Sequence, residues 1–145
     1  MYTDAVSPLP PSFKAIAIAA LVWNLIGVVM FFVEAMMTPE QVAALSAAQQ
    51  QIRAASPAWA MPAFALAVFA GTAGSLGLLL RKRWAVPVLL LSLLGVLVQM
   101  GSMYALTPVW ALTGLSGAWL PLGLIAVALA LWLYARKAST RGWLR

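Results

Sequence analysis

From Phe13 onward the chain alternates long apolar runs with short polar breaks. Four runs, over about 13–37, 59–80, 84–106 and 118–135, each approach the 20 or so apolar residues that carry a helix across roughly 30 Å of hydrocarbon. An open strand would leave its backbone N–H and C=O groups unpaired in lipid, so the runs predict helices. Three of them open alike. Trp59 before Pro62, Trp84 before Pro87 and Trp119 before Pro121 each place an interfacial indole ahead of a first-turn proline, whose missing N–H removes no helical bond. The expected fold is all-α: a single integral-membrane four-helix bundle made by the whole chain, residues 1–145.

The breaks between the runs differ in kind. In the first, Thr38 is an N-cap candidate, Pro39 takes the first helical position and Gln41 completes a capping-box pattern, which predicts a short amphipathic external helix over about 39–54. Val42, Leu45 and Ile52 share one face and the glutamines the other, so this helix is expected along the interface or over the bundle mouth. The third break, from Thr107 to Gly117, carries no charge, and its glycines and proline predict a loop that hugs the membrane. Met1 to Pro11 is expected to be flexible and extended.

Composition places the chain in a bilayer, because 64% hydrophobic and 8% charged residues cannot make a soluble surface, which needs roughly 25% charge. The net charge of +6 raises the question of nucleic acid. A nucleic-acid surface, however, is a basic face on a soluble module, whereas these cations flank apolar spans, so no nucleic-acid partner is expected. With no Cys and no His, the chain has no disulfide, no imidazole base and no usual zinc ligand set, and neither metal nor cofactor is expected.

The cations fix an orientation, since short loops rich in Lys and Arg stay in the cytoplasm. Lys14, Arg81, Lys82, Arg83, Arg136, Lys137, Arg141 and Arg145 lie on the side holding both termini, and Arg53 alone lies on the other. Both termini are therefore expected in the cytoplasm, with Arg81, Lys82, Arg83, Arg136 and Lys137 as topology determinants rather than ligand contacts. Trp84 and Trp132 then mark the inner interface, and Trp59, Trp110, Trp119 and Tyr104 the outer one. The uncharged run from Ala15 to Val33 exceeds the 7–15 apolar residues of a signal sequence, so the first span is read as retained.

In lipid, helices meet through small and polar residues. Ala63, Ala67, Gly71 and Ser75 recur every four residues with Gly74 and Gly77 beside them, while Ser92, Gly95, Gln99 and Ser102, and likewise Asn24, Gly27, Phe31 and Glu34, step by 3, 4 and 3. These patterns assign helix packing to Gly27, Ala67, Gly71, Gly74, Ser75 and Gly95. The fourth span offers only Gly123 and is expected to have the most lipid contact. Asn24, Glu34 and Gln99 are the costliest residues to bury in hydrocarbon. Glu34 sits near the outer boundary, where the penalty is small; Asn24 and Gln99 read as interhelical hydrogen bonds worth roughly 0.6 kcal/mol or as solute contacts. Asn24, Glu34, Ser75 and Gln99 are thus the candidate substrate-binding residues, with proton coupling as the further role open to Glu34.

Other chemistry is thin. Met30, Met36, Met37, Met61, Met100 and Met103 fall in the outer halves of the first three spans, where thioethers could ligate Cu(I), but without Cys or His beside them they read as gap fillers. No nucleophile has a base partner and no two carboxylates share a span, so no enzyme activity is expected.

The segments WNLIGV (Trp23 to Val28), Met37-Thr38-Pro39, SPAWAMPAFALAVFAGTAGSLGLLLRKRWA (Ser56 to Ala85), SLLGVLVQM (Ser92 to Met100) and RGWL (Arg141 to Leu144) resemble the small bacterial four-helix membrane proteins labelled "sugar transporter". The resemblance implies a multi-pass protein of the bacterial inner membrane and a small polar solute, a sugar, as cargo; it supplies no binding residues. The small multidrug resistance transporters share four helices and one acid in the first, but theirs lies deep and Glu34 is shallow. Two functions stay open. One is a small-solute carrier, working as a homo-oligomer because four short helices barely enclose a path, with Asn24, Ser75 and Gln99 on the solute. The other is a non-transporting accessory subunit whose small-residue ridge docks a larger membrane partner. In either case the surrounding partner is the lipid bilayer.

Overall fold

The computed structural model of the protein describes residues 7–145, so most of the N-terminal segment expected to be extended lies outside the described residues. The described chain is helical: α1 (Ser12–Ala35), α2 (Pro39–Ala43), α3 (Ala47–Ala55), α4 (Ala60–Leu79), α5 (Ala85–Leu106), α6 (Val109–Thr113) and α7 (Trp119–Thr140), with a 3-10 segment at Gly114–Ala118. α1, α4, α5 and α7 are long and apolar enough to cross a membrane. We call the end that carries Lys14, Arg81–Arg83 and Arg136–Arg145 the basic end, and the other the distal end.

The segment expected as one helix over 39–54 is divided into α2 and α3. Thr38 caps α2, its side chain accepting from Gln41 N–H while Gln41 Oε1 accepts from Thr38 N–H. A second capping box, Ser46 with Gln49, starts α3 and breaks the helix between them. α7 runs five residues beyond the expected limit at Ala135, because Arg136 and Lys137 end the apolar stretch without interrupting helical bonding. It stops only at Gly142, in the left-handed region at φ 74°.

α4 and α5 form an antiparallel hairpin at the centre; α1 packs on α4, and α7 packs on α5. The hairpin is tight because Gly95 carries no side chain. A Cβ there would lie 2.8 Å from Ala67 N and 3.0 Å from Ala63 O, both backbone atoms. Ser92 Oγ also donates to Ala67 O at 2.6 Å, tying the same two backbones. Gly27 faces Val68, Gly71 faces Asn24 and Ser92, and Gly74 faces Leu89, each leaving too little room for a methyl group.

α1 and α7 do not pack along their length. They meet at the basic end, where Phe13 lies 6.1 Å from the Tyr134 ring and 6.0 Å, edge-on, from Trp143. The best buried core collects there: Phe13, Ala17, Leu78, Ala85, Leu89, Ala135, Ala138, Trp143 and Leu144.

Two helix ends build the closure. α4 ends in a Schellman motif with Arg81 at φ 59°, Lys82 N–H donating to Gly77 O at 2.8 Å and Arg81 N–H to Leu78 O at 3.0 Å. α7 ends the same way around Gly142, with Trp143 N–H donating to Ala138 O at 2.9 Å. The segments beyond the two caps then pair by backbone: Arg145 N–H donates to Arg81 O at 2.6 Å, and Arg83 N–H to Arg145 O at 3.0 Å. Arg81 Nε adds a bond to Trp143 O at 2.8 Å. Trp143 and Leu144 are thereby held at 5% and 1% exposure as a wedge between the helices.

Candidate functional site

Because α1 and α7 join only at the basic end, the space between them stays open farther along the bundle. The result is a cavity of about 520 Å³ walled by all four long helices. Trp23, Asn24, Gly27 and Met30 line it from α1, Phe64, Ala67 and Val68 from α4, Leu89, Ser92, Gln99 and Met103 from α5, and Pro121, Leu124, Ala128 and Leu131 from α7. Leu89 is shared with the basic-end core and forms the floor.

The wall is apolar apart from Asn24, Ser92 and Gln99. Asn24 is buried, and its Nδ2 donates to Ala20 O at 2.9 Å and to Ser75 Oγ at 3.1 Å. Its Oδ1 accepts from no donor among the described residues. The Ser92 hydroxyl is engaged on Ala67 O. Gln99 is half-buried and makes no hydrogen bond among the described residues, so its amide is the freest polar group in the wall.

The four candidate residues therefore separate. Asn24 and Gln99 lie in the cavity wall, and Ser75, fully buried, stands behind Asn24 as its acceptor. Glu34 is elsewhere. It forms an ion pair with Arg53, whose other terminal nitrogen donates to Glu34 O at 3.4 Å, so the pair straps α3 to the distal end of α1. The packing glycines surround the site without lining much of it: Gly71 and Gly74 lie at the α4–α5–α1 contacts, and Gly27 alone of the glycines faces the cavity.

Two features lay beyond the sequence reading. The α7 wall escaped it because Leu124, Val127, Ala128 and Leu131, although spaced as one helical face, sit in a helix that is apolar all round and offers no contrast. The wedge has no signature in the sequence, because the charges of Arg81 and Arg83 do not reveal that their backbones and Nε atoms hold the segment after α7. Arg136 is also engaged, its guanidinium lying 5.0 Å from the Trp132 ring centroid.

Interfacial aromatics are tied down at the distal end. Trp59 Nε1 donates to Ser102 Oγ at 2.8 Å, and Tyr104, edge-on to Trp110 at 4.8 Å, donates its hydroxyl to Gly117 O. No protein-family model matches the chain, and no curated protein or solved structure matches it either. The resemblance seen in the sequence gains no support from these comparisons.

Proposed function

We propose that the protein is a multi-pass carrier of the bacterial inner membrane that binds a small solute in the cavity between its four spans. The carrying observation is the 520 Å³ cavity itself, within the range of small-molecule sites, with an available amide in an otherwise apolar wall. The cation asymmetry supports an orientation with the basic end and both termini in the cytoplasm. In that orientation the wedge of Trp143 and Leu144 closes the cytoplasmic side, and the cavity lies toward the outer leaflet. The chemistry present is binding and passage, with no covalent step.

The accessory-subunit alternative drew on a free ridge of small residues. That ridge is engaged inside the chain, Gly71 on α1 and α5 and Gly74 on Leu89, which leaves less of it to dock a partner. Carriage is tested in proteoliposomes by an uptake panel of labelled sugars, amines and amphiphiles. Ala128→Trp, which fills the cavity, is expected to abolish the flux of the transported member. Leu129→Trp, on the lipid-facing side of the same helix, is expected to leave it intact; equal flux in both variants would refute the reading.

A further inference from the structure

The shape and chemistry of the cavity narrow the solute class, an inference that rests on the carrier reading above. Lining residues on α5 run from Leu89 to Met103, a rise of about 21 Å at 1.5 Å per residue. The cavity is therefore elongated along the bundle, a shape that suits an extended molecule better than a compact one.

Polarity agrees with shape. A sugar buried here would bring a hydroxyl on nearly every carbon to a wall whose one available polar group is the Gln99 amide, leaving most of its donors unpaired. A molecule with one hydrogen-bonding head and an alkyl body leaves none. The free amide is also placed for it: Gln99 is ten residues, about 15 Å, distal to the Leu89 floor, and the polar groups between them are turned to the protein, Ser92 to Ala67 O and Asn24 to Ser75 and Gly71.

The route in is lateral. Trp23 and Ile26 on α1, and Leu120 on α7, line the cavity yet are 45%, 54% and 71% exposed, so the rim on both sides faces lipid. We propose that the cavity holds a single-chain amphiphile, such as a long-chain alcohol or acid, which enters between α1 and α7 from the lipid phase and seats its polar head on Gln99. Lipid tails are as apolar as the wall, so transfer of the alkyl body from the bilayer contributes little. Selectivity falls on the head group.

The test uses the full chain in liposomes and three photoreactive, alkyne-tagged probes: a long-chain fatty alcohol, the matching hydrocarbon and a hexose. Adducts are mapped by mass spectrometry. The alcohol is expected to label the cavity face, including Met30, Val127 and Leu131, above the outward-facing Val29 and Leu129. Gln99→Leu is expected to lower alcohol labelling roughly threefold to tenfold and to leave hydrocarbon labelling unchanged. Ala128→Phe is expected to remove cavity adducts, with Leu129→Phe as the control. Adducts spread evenly around the bundle, or equal labelling by alcohol and hydrocarbon unaffected by Gln99→Leu, would overturn the proposal in favour of ordinary boundary lipid. Cavity labelling by the hexose alone would overturn the amphiphile and keep the carrier. No cavity labelling by any probe, with no flux in the uptake panel, would overturn both.

Discussion

Gly95 sets the distance between the two central helices, and its replacement has a definite cost. The atoms that a new methyl would meet are Ala67 N and Ala63 O, which cannot rotate away as a side chain could. Gly95→Ala is therefore expected to destabilise the protein by about 1–3 kcal/mol. Gly123→Ala, whose new Cβ meets nothing within 4 Å, should be neutral; thermal unfolding in detergent compares the two. The Glu34–Arg53 pair is a weaker tie, because the two side chains remain about a third exposed. A double-mutant cycle with Glu34→Gln and Arg53→Gln is expected to give a coupling under about 1 kcal/mol. Residues stood out in the sequence where they broke the apolar background. Asn24, Ser92, Gly95 and Gln99 did so, and the structure places them on the contact and cavity faces. Leu124 and Leu131 did not, since a cavity-facing leucine and a lipid-facing one are the same residue in the same kind of run.

Among the elements, the segment after α7 matters most beyond its length. Trp143 fills the space among Phe13, Tyr134 and α5, and truncating such a buried indole removes about 3 kcal/mol of packing. Trp143→Ala is expected to free the backbone pairing of Arg81 and Arg83, and with it the Arg81–Arg83 turn. Trypsin cleavage at that turn should accelerate on the order of a hundredfold, since cleavage follows the population of the opened form. At the other end of the bundle, Ser46→Ala should weaken α3 by about 1 kcal/mol, read as faster amide exchange confined to Ala47–Ala55. The starts of the four long helices and the ends of the first three were legible to within two residues, because tryptophan, proline and the edges of the apolar runs coincide there, whereas the break before α3 and the short α6 were not. The end of α7 was not. Hydropathy marks where a bilayer would stop, whereas the helix is ended by backbone geometry at Gly142, which charge does not reveal.

For the whole molecule, the absence of cysteine from the sequence makes orientation directly measurable. Single variants Ala48→Cys and Ser139→Cys, exposed to a membrane-impermeant maleimide on intact cells, are expected to label at position 48 and remain unlabelled at 139. The reverse pattern would invert the orientation, and with it the leaflet that the cavity serves. The class of the fold was legible from four apolar runs, but the unequal contact between the helices was not. It arises because glycine and serine concentrate on α4 and α5, while α1 and α7 each carry two such residues. The backbone clasp between Arg81, Arg83 and Arg145 fastens the α4–α5 turn to the segment after α7. Drawing α7 away from α5 at the basic end would have to break those bonds together with the Trp143 packing, so the two helices part most easily at their distal ends, and any widening of the cleft is hinged at the clasp.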